Sequence, residues 1–127
     1  MTPYTIYIEC NDERFWRYNL AVTGEVTHNG QRVEFIKYLD EVAPVGSNLP
    51  QIPDGYSRPN RITIECKAGD ALTLYIYVIP HTLPQTREVS TGNDFELRAT
   101  VRQGNTILYN RHHVINPWVG NNIEVKL

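Results

Sequence analysis

The residues best suited to chemistry in this chain are two cysteines that close matching phrases, Ile6-Tyr7-Ile8-Glu9-Cys10 and Ile62-Thr63-Ile64-Glu65-Cys66. A bridge between them would close a loop worth about 4 kcal/mol in the chain-entropy picture. Both cysteines, however, fall on the inward phase at the end of an alternating segment, where an unpaired thiol serves as a small hydrophobe. The spacing also lacks the Cys-Trp-Cys pattern of immunoglobulin domains, because Trp16 follows Cys10 too closely. The sequence therefore favours two free, buried thiols, with a disulfide as the alternative. Zinc needs ligands in closely spaced pairs, and neither cysteine has such a neighbour. His112 and His113 are adjacent, so on a strand they point to opposite faces and cannot share one ion. The expected set of metal ligands is empty.

Acidic and amide residues collect at turns written CNDE, YLDE, KAGD, TGND and GNN. Oxygen ligands converging from such loops could hold calcium, but Asn, Asp and Gly are also what tight turns require, and that reading is preferred. Ser47, Ser57 and Ser90 lie in irregular stretches, none inside a nucleophile elbow, and no glycine-rich phosphate loop occurs. No catalytic residues and no cofactor are expected. The most suggestive surface is aromatic: Thr73, Tyr75 and Tyr77 share the outward phase of one segment, with Thr63 on its expected hairpin neighbour and Tyr7 repeating the pattern on the first strand. Such rings bind sugars or protein partners at small entropic cost, whereas ordinary cross-strand packing would also explain them.

The elements that must position these residues are strands. Apolar and polar residues alternate almost throughout, most cleanly in DFELRATVR, where Phe95, Leu97, Ala99 and Val101 take one face. Strands are expected near 4–10, 17–27, 32–39, 61–66, 71–79, 94–102, 106–115 and at the closing NNIEVKL. Asn29-Gly30 predicts a type I′ hairpin, and Phe35-Ile36 breaks the alternation in the manner of a bulge. Residues 40–60 hold Pro44, Pro50, Pro53 and Pro59 and read as a long surface connection, as does PHTLPQTREVSTGN. Seven or eight antiparallel strands with two long connections predict a single all-β domain over 1–127. The expected architecture is an antiparallel β-sandwich, immunoglobulin-like or jelly-roll-like, with a closed barrel as the alternative.

A formal charge of −2 gives no field that would draw the chain onto nucleic acid. No apolar run is long enough to span a membrane, and no targeting signal is written, so the chain reads as soluble. It would be cytoplasmic, or extracytoplasmic if a signal peptide has been removed. The C-terminal third, FELRATVRQGNTILYNRHHVINPWVGNNIEVKL, resembles the closing segment of the secretin-pilotin and related small lipoprotein β-sandwiches of Gram-negative bacteria. LAVTGEV and DALTLYIYV resemble two of that family's strands. The lipid-accepting cysteine of those proteins has no counterpart, since Cys10 follows Tyr-Ile-Glu. The resemblance implies a non-enzymatic accessory or chaperone-like protein of a secretion or assembly system. The resulting expectation is a module that binds a protein partner through a sheet face or an exposed strand edge, with a carbohydrate-binding domain as the alternative.

Overall fold

The computed structural model describes residues 2–84 and 94–127. Eight strands form among them: β1 Pro3–Glu9, β2 Tyr18–His28, β3 Gln31–Asp40, β4 Arg61–Ala68, β5 Ala71–Pro80, β6 Phe95–Gln103, β7 Thr106–Ile115 and β8 Asn121–Lys126. They pair into two four-stranded sheets, ordered β4-β1-β6-β7 and β3-β2-β5-β8, with every pairing antiparallel. Among the described residues no strand pair joins one sheet to the other, so the molecule is a β-sandwich and not a closed barrel.

Period-two alternation builds the core. Ile6 and Ile8 of β1, Leu20 and Val22 of β2, Leu74 and Ile76 of β5, and Leu97, Ala99 and Val101 of β6 are all buried between the sheets. Burying such side chains contributes roughly 1.5–3 kcal/mol each before entropy is counted. The central strands are therefore the apolar ones.

Asn29 and Gly30 take φ angles of 53° and 77° and turn β2 into β3, as a two-residue type I′ hairpin requires. The bulge expected at Phe35-Ile36 lies instead at Val33: Val26 pairs with Glu34 while Thr27 pairs with Arg32, leaving Val33 unmatched. Beyond it the alternation is regular, with Ile36 buried and Phe35 and Leu39 turned outward.

The rhyming segments around the cysteines are neighbours. Ile6 faces Ile64 and Ile8 faces Ile62 in the β1–β4 ladder. Because the ladder is antiparallel, the cysteines fall at opposite ends of it. Cys10 sits opposite Asn60, and Cys66 lies beyond the Thr5–Glu65 pair. A separation of about six strand residues is roughly 20 Å, far beyond the reach of a disulfide. Both thiols are free and buried.

Chain order sorts the connections by length. Residues 10–17, 41–60, 81–84 and 116–120 lie at one end of the sandwich; the two-residue links at Asn29-Gly30, Gly69-Asp70 and Gly104-Asn105 lie at the other. The first is called the loop end below. The expected irregular stretch at 80–93 falls largely on residues 85–93, outside the described residues, and so do Ser90 and most of the TGND turn.

Candidate functional site

The expected hairpin between β4 and β5 does not form. Gly69-Asp70 carries the chain from one sheet to the other, so β4 pairs with β1 while β5 pairs with β2 and β8. The crossing depends on close approach: a Cβ on Gly69 would lie 2.4 Å from a Val26 methyl and 2.6 Å from the Thr27 carbonyl oxygen. Thr27 also accepts the Asp70 N–H at 2.9 Å, which pins the corner. The five residues expected on one surface are consequently split. Tyr7 and Thr63 share the outer face of the first sheet, where they pair directly, and Thr73, Tyr75 and Tyr77 lie on the outer face of the second.

On the first sheet Tyr7 stands between Thr63 and Thr100. The Arg61 guanidinium lies 3.9 Å over its ring, and Arg61 also approaches Glu9 at 4.0 Å. That ring face is therefore occupied and does not offer a bare stacking platform.

The second sheet presents a broader apolar surface. Three cross-strand rows can be followed: Leu39-Ala21-Tyr77-Asn122, Lys37-Thr23-Tyr75-Glu124 and Phe35-Glu25-Thr73-Lys126. Leu39 is 60% and Phe35 57% exposed, Ile79 is exposed beyond Tyr77, and both tyrosines are half-buried. Sequence reasoning found the tyrosines but missed Phe35, Leu39 and Ile79. The signal for two of them was present, since β3 reads Phe-Ile-Lys-Tyr-Leu with apolar residues on both phases. That pattern is expected of a strand with a core on one side and an apolar surface on the other.

At the loop end a 470 Å³ cleft is lined by Glu9, Asn11, Asp12, Phe95, Arg98 and His112, among others. Several of its polar groups pair with one another or with neighbours. Asp12 accepts from Arg14 Nε at 2.9 Å and Nη2 at 3.0 Å. Burial works against that carboxylate, but the Arg14 hydrogen bonds and charge prevail and lower its pKa. Arg98 Nε donates to Asn110 at 2.9 Å, and His112 lies 3.4 Å from Glu96. Cys10 reaches the cleft, but burial first of all raises its pKa, which keeps it a thiol and a poor nucleophile. Among the described residues no three His, Cys, Asp or Glu side chains gather to hold a metal ion.

Deeper in the loop end, hydrogen bonds tie the connections together. Arg58, its side chain only 4% exposed, donates to Asp40 at 2.7 Å and to the carbonyls of Phe15 and Tyr18 at 2.9 and 2.8 Å. Tyr56 donates its hydroxyl to the same Asp40 oxygen at 2.7 Å. Buried His81 links three segments: its Nε2–H donates to the Trp16 carbonyl at 2.7 Å, which leaves Nδ1 to accept from the Thr82 hydroxyl at 2.8 Å. That hydroxyl oxygen in turn accepts the Leu49 N–H at 2.9 Å. These bonds tie the strand ends and the connections of the loop end to one another.

No family model and no curated protein matches the sequence. Among solved structures the chain is similar to a DUF4425 family protein from Bacteroides ovatus ATCC 8483, with 13% identity over 99% of this chain and 92% of that one, at a TM-score of 0.54. The two share a fold. At that identity the likeness carries architecture and no residue roles.

Proposed function

We propose that this protein is a non-catalytic β-sandwich module that holds a protein partner on the outer face of its second sheet. The observation that carries the reading is the apolar cluster of Leu39, Ala21, Tyr77, Tyr75 and Ile79 on a four-stranded ladder, with exposed Phe35 on the same face beyond Lys37. Exposed aliphatic and aromatic side chains gathered on one face are the usual mark of an interaction site. Half-buried tyrosines at its centre supply large contact area with few rotamers to freeze. The resemblance of the C-terminal third adds an accessory or chaperone-like role in a bacterial secretion or assembly system to the same proposal.

A carbohydrate ligand is the second reading. It is favoured by Glu124 and Thr23 beside Tyr75 and by Asn122 beside Tyr77, which would give a sugar hydrogen-bond partners next to a ring. Leu39 and Phe35 weigh toward protein, because a polar sugar gains little from aliphatic neighbours. The test is affinity purification from the source organism with wild-type protein and with Tyr75→Ala/Tyr77→Ala. The expected result is a defined protein retained by the first and lost at least about ten-fold by the second, with both proteins equally folded. Binding on a glycan array that the same double variant abolishes would replace this reading with the lectin one.

A further inference from the structure

Strand β7 ends the first sheet with a ten-residue edge. In an antiparallel ladder, alternate residues turn their N–H and C=O toward and away from the neighbouring strand. The Val114 carbonyl accepts from Asn121 Nδ2 at 2.9 Å, so Val114 faces away from β6. The two-residue period then sets the backbone groups of His112 and Asn110 on the same free side. Across the sandwich the edges of β4 and β3 are tied together, since Glu34 of β3 accepts the Lys67 N–H at 2.9 Å. On β8 the edge is only six residues long.

Side chains along β7 indicate what would fit. Ile107 and Val114, at the two ends of the strand's outer face with Asn110 and His112 between them, are 58% and 54% exposed. β7 itself carries Arg111, His112 and His113 and no carboxylate; His112 shares the outer face with Arg98 and Arg102 of β6, where Glu96 and, on β1, Glu9 are the acids, while Arg111 lies on the other face opposite Ala99. His113 registers the crowding, its pKa lowered by burial and then by the charges of Arg111 and His112. We propose that the β7 edge receives an extended acidic segment of a partner protein, which adds to the first sheet as a fifth strand. Backbone pairing supplies the affinity, and Arg111 on one face of the edge, with Arg98 and Arg102 beside the other, supplies the selectivity. A second copy of β7 fits less well, because a two-fold pairing brings Arg111, His112 and His113 against their own copies with no carboxylate between them. The proposal shares with the preceding section only the premise of a protein partner and uses neither Tyr75 nor Tyr77.

The experiment is amide hydrogen exchange on the full chain with an eight-residue peptide of alternating Val and Glu, compared with its Val/Lys counterpart. Exchange at Asn110 and His112 is expected to slow about ten-fold or more with the Val/Glu peptide only, while Tyr77 and Asn122 are unchanged. Arg111→Glu should weaken the Val/Glu peptide at least ten-fold. His112→Pro should abolish its binding while leaving the ladder to β6 intact, because that N–H does not join it. Tyr75→Ala/Tyr77→Ala should bind the peptide as wild type does. The proposal is overturned by unchanged exchange at Asn110 and His112, by equal binding of both peptides, or by loss of binding in the tyrosine variant. Slowing that appears without peptide as protein concentration rises, with dimer in sedimentation, would equally overturn it in favour of a second copy.

Discussion

Arg58 has the most consequential side chain outside the apolar core, because one guanidinium donates to a carboxylate and to two backbone carbonyls at once. The guanidinium also lies over Phe15, its central carbon 4.5 Å from the ring centre. Arg58→Ala is expected to cost about 2–4 kcal/mol in urea denaturation, the range for removing one partner of a largely buried pair. Arg58→Lys should recover less than half of that loss, since a single ammonium cannot reach three acceptors at once. Buried phenol and thiol protons shape stability at the alkaline side, those of Tyr18 and Cys66 among them. The Tyr18 hydroxyl is pushed up to about 12, burial being the main cause, and the Cys66 thiol likewise to about 12 by burial and then by Glu34. The unfolded chain releases these protons near 10 and 9, so it binds fewer protons than the folded chain in the windows between. Their contribution is complete below pH 9 and is lost as pH rises toward 12. Urea midpoints should fall steadily from pH 9 upward, and Cys66→Ala should flatten the lower part of that slope.

At the scale of the element, Gly24 shows how tightly β2 and β5 are joined. A Cβ there would lie 2.1 Å from the Thr73 carbonyl oxygen, so the two strands must part to admit it. Gly24→Ala is expected to lower stability by about 2 kcal/mol in thermal or urea unfolding, an overpacking cost borne by backbone that cannot rotate away. The pairing of β1 with β4 makes a separate prediction. A thiol reagent should find neither cysteine in the native protein and both on unfolding without reductant. The strands and their faces were legible in the sequence because period two is a local property: DFELRATVR reads its buried phase directly, and Asn29-Gly30 writes its own turn. Sheet membership was not legible. The Gly69-Asp70 link is as short as a hairpin turn, and only the close approach of Gly69 to Val26 and Thr27 separates a corner from a reversal. That one crossing decides whether Tyr7 and Tyr75 share a surface or lie on opposite faces. The bulge was misplaced for a related reason. Phe35-Ile36 looked irregular because an exposed phenylalanine was not anticipated, whereas the unmatched residue is Val33.

For the whole molecule, the described long connections gather at one end and the two-residue links at the other. Hydrogen bonds through Arg58, His81 and Asn19 stiffen the loop end, Asn19 accepting the Val42 N–H and donating to the Ala43 carbonyl, each at 2.7 Å. Stability is thereby concentrated between the sheets and in the loop-end network, whereas the second sheet's outer face carries apolar area that the fold itself does not need. Replacing exposed apolar side chains on a strand surface changes stability little when no buried contact is lost. Phe35→Lys combined with Leu39→Glu is therefore expected to stay within about 0.5 kcal/mol of wild type in urea denaturation while reducing partner capture as far as Tyr75→Ala/Tyr77→Ala does. A core change such as Leu74→Ala should do the reverse to the fold, costing about 2–5 kcal/mol. If the surface pair unfolded the protein, Phe35 and Leu39 would be serving the sandwich itself and the outer face would lose its claim as a binding surface. If it left both folding and capture untouched, the partner would have to be held elsewhere, and the β7 edge, whose variants are read by amide exchange, would be the surface left to account for it.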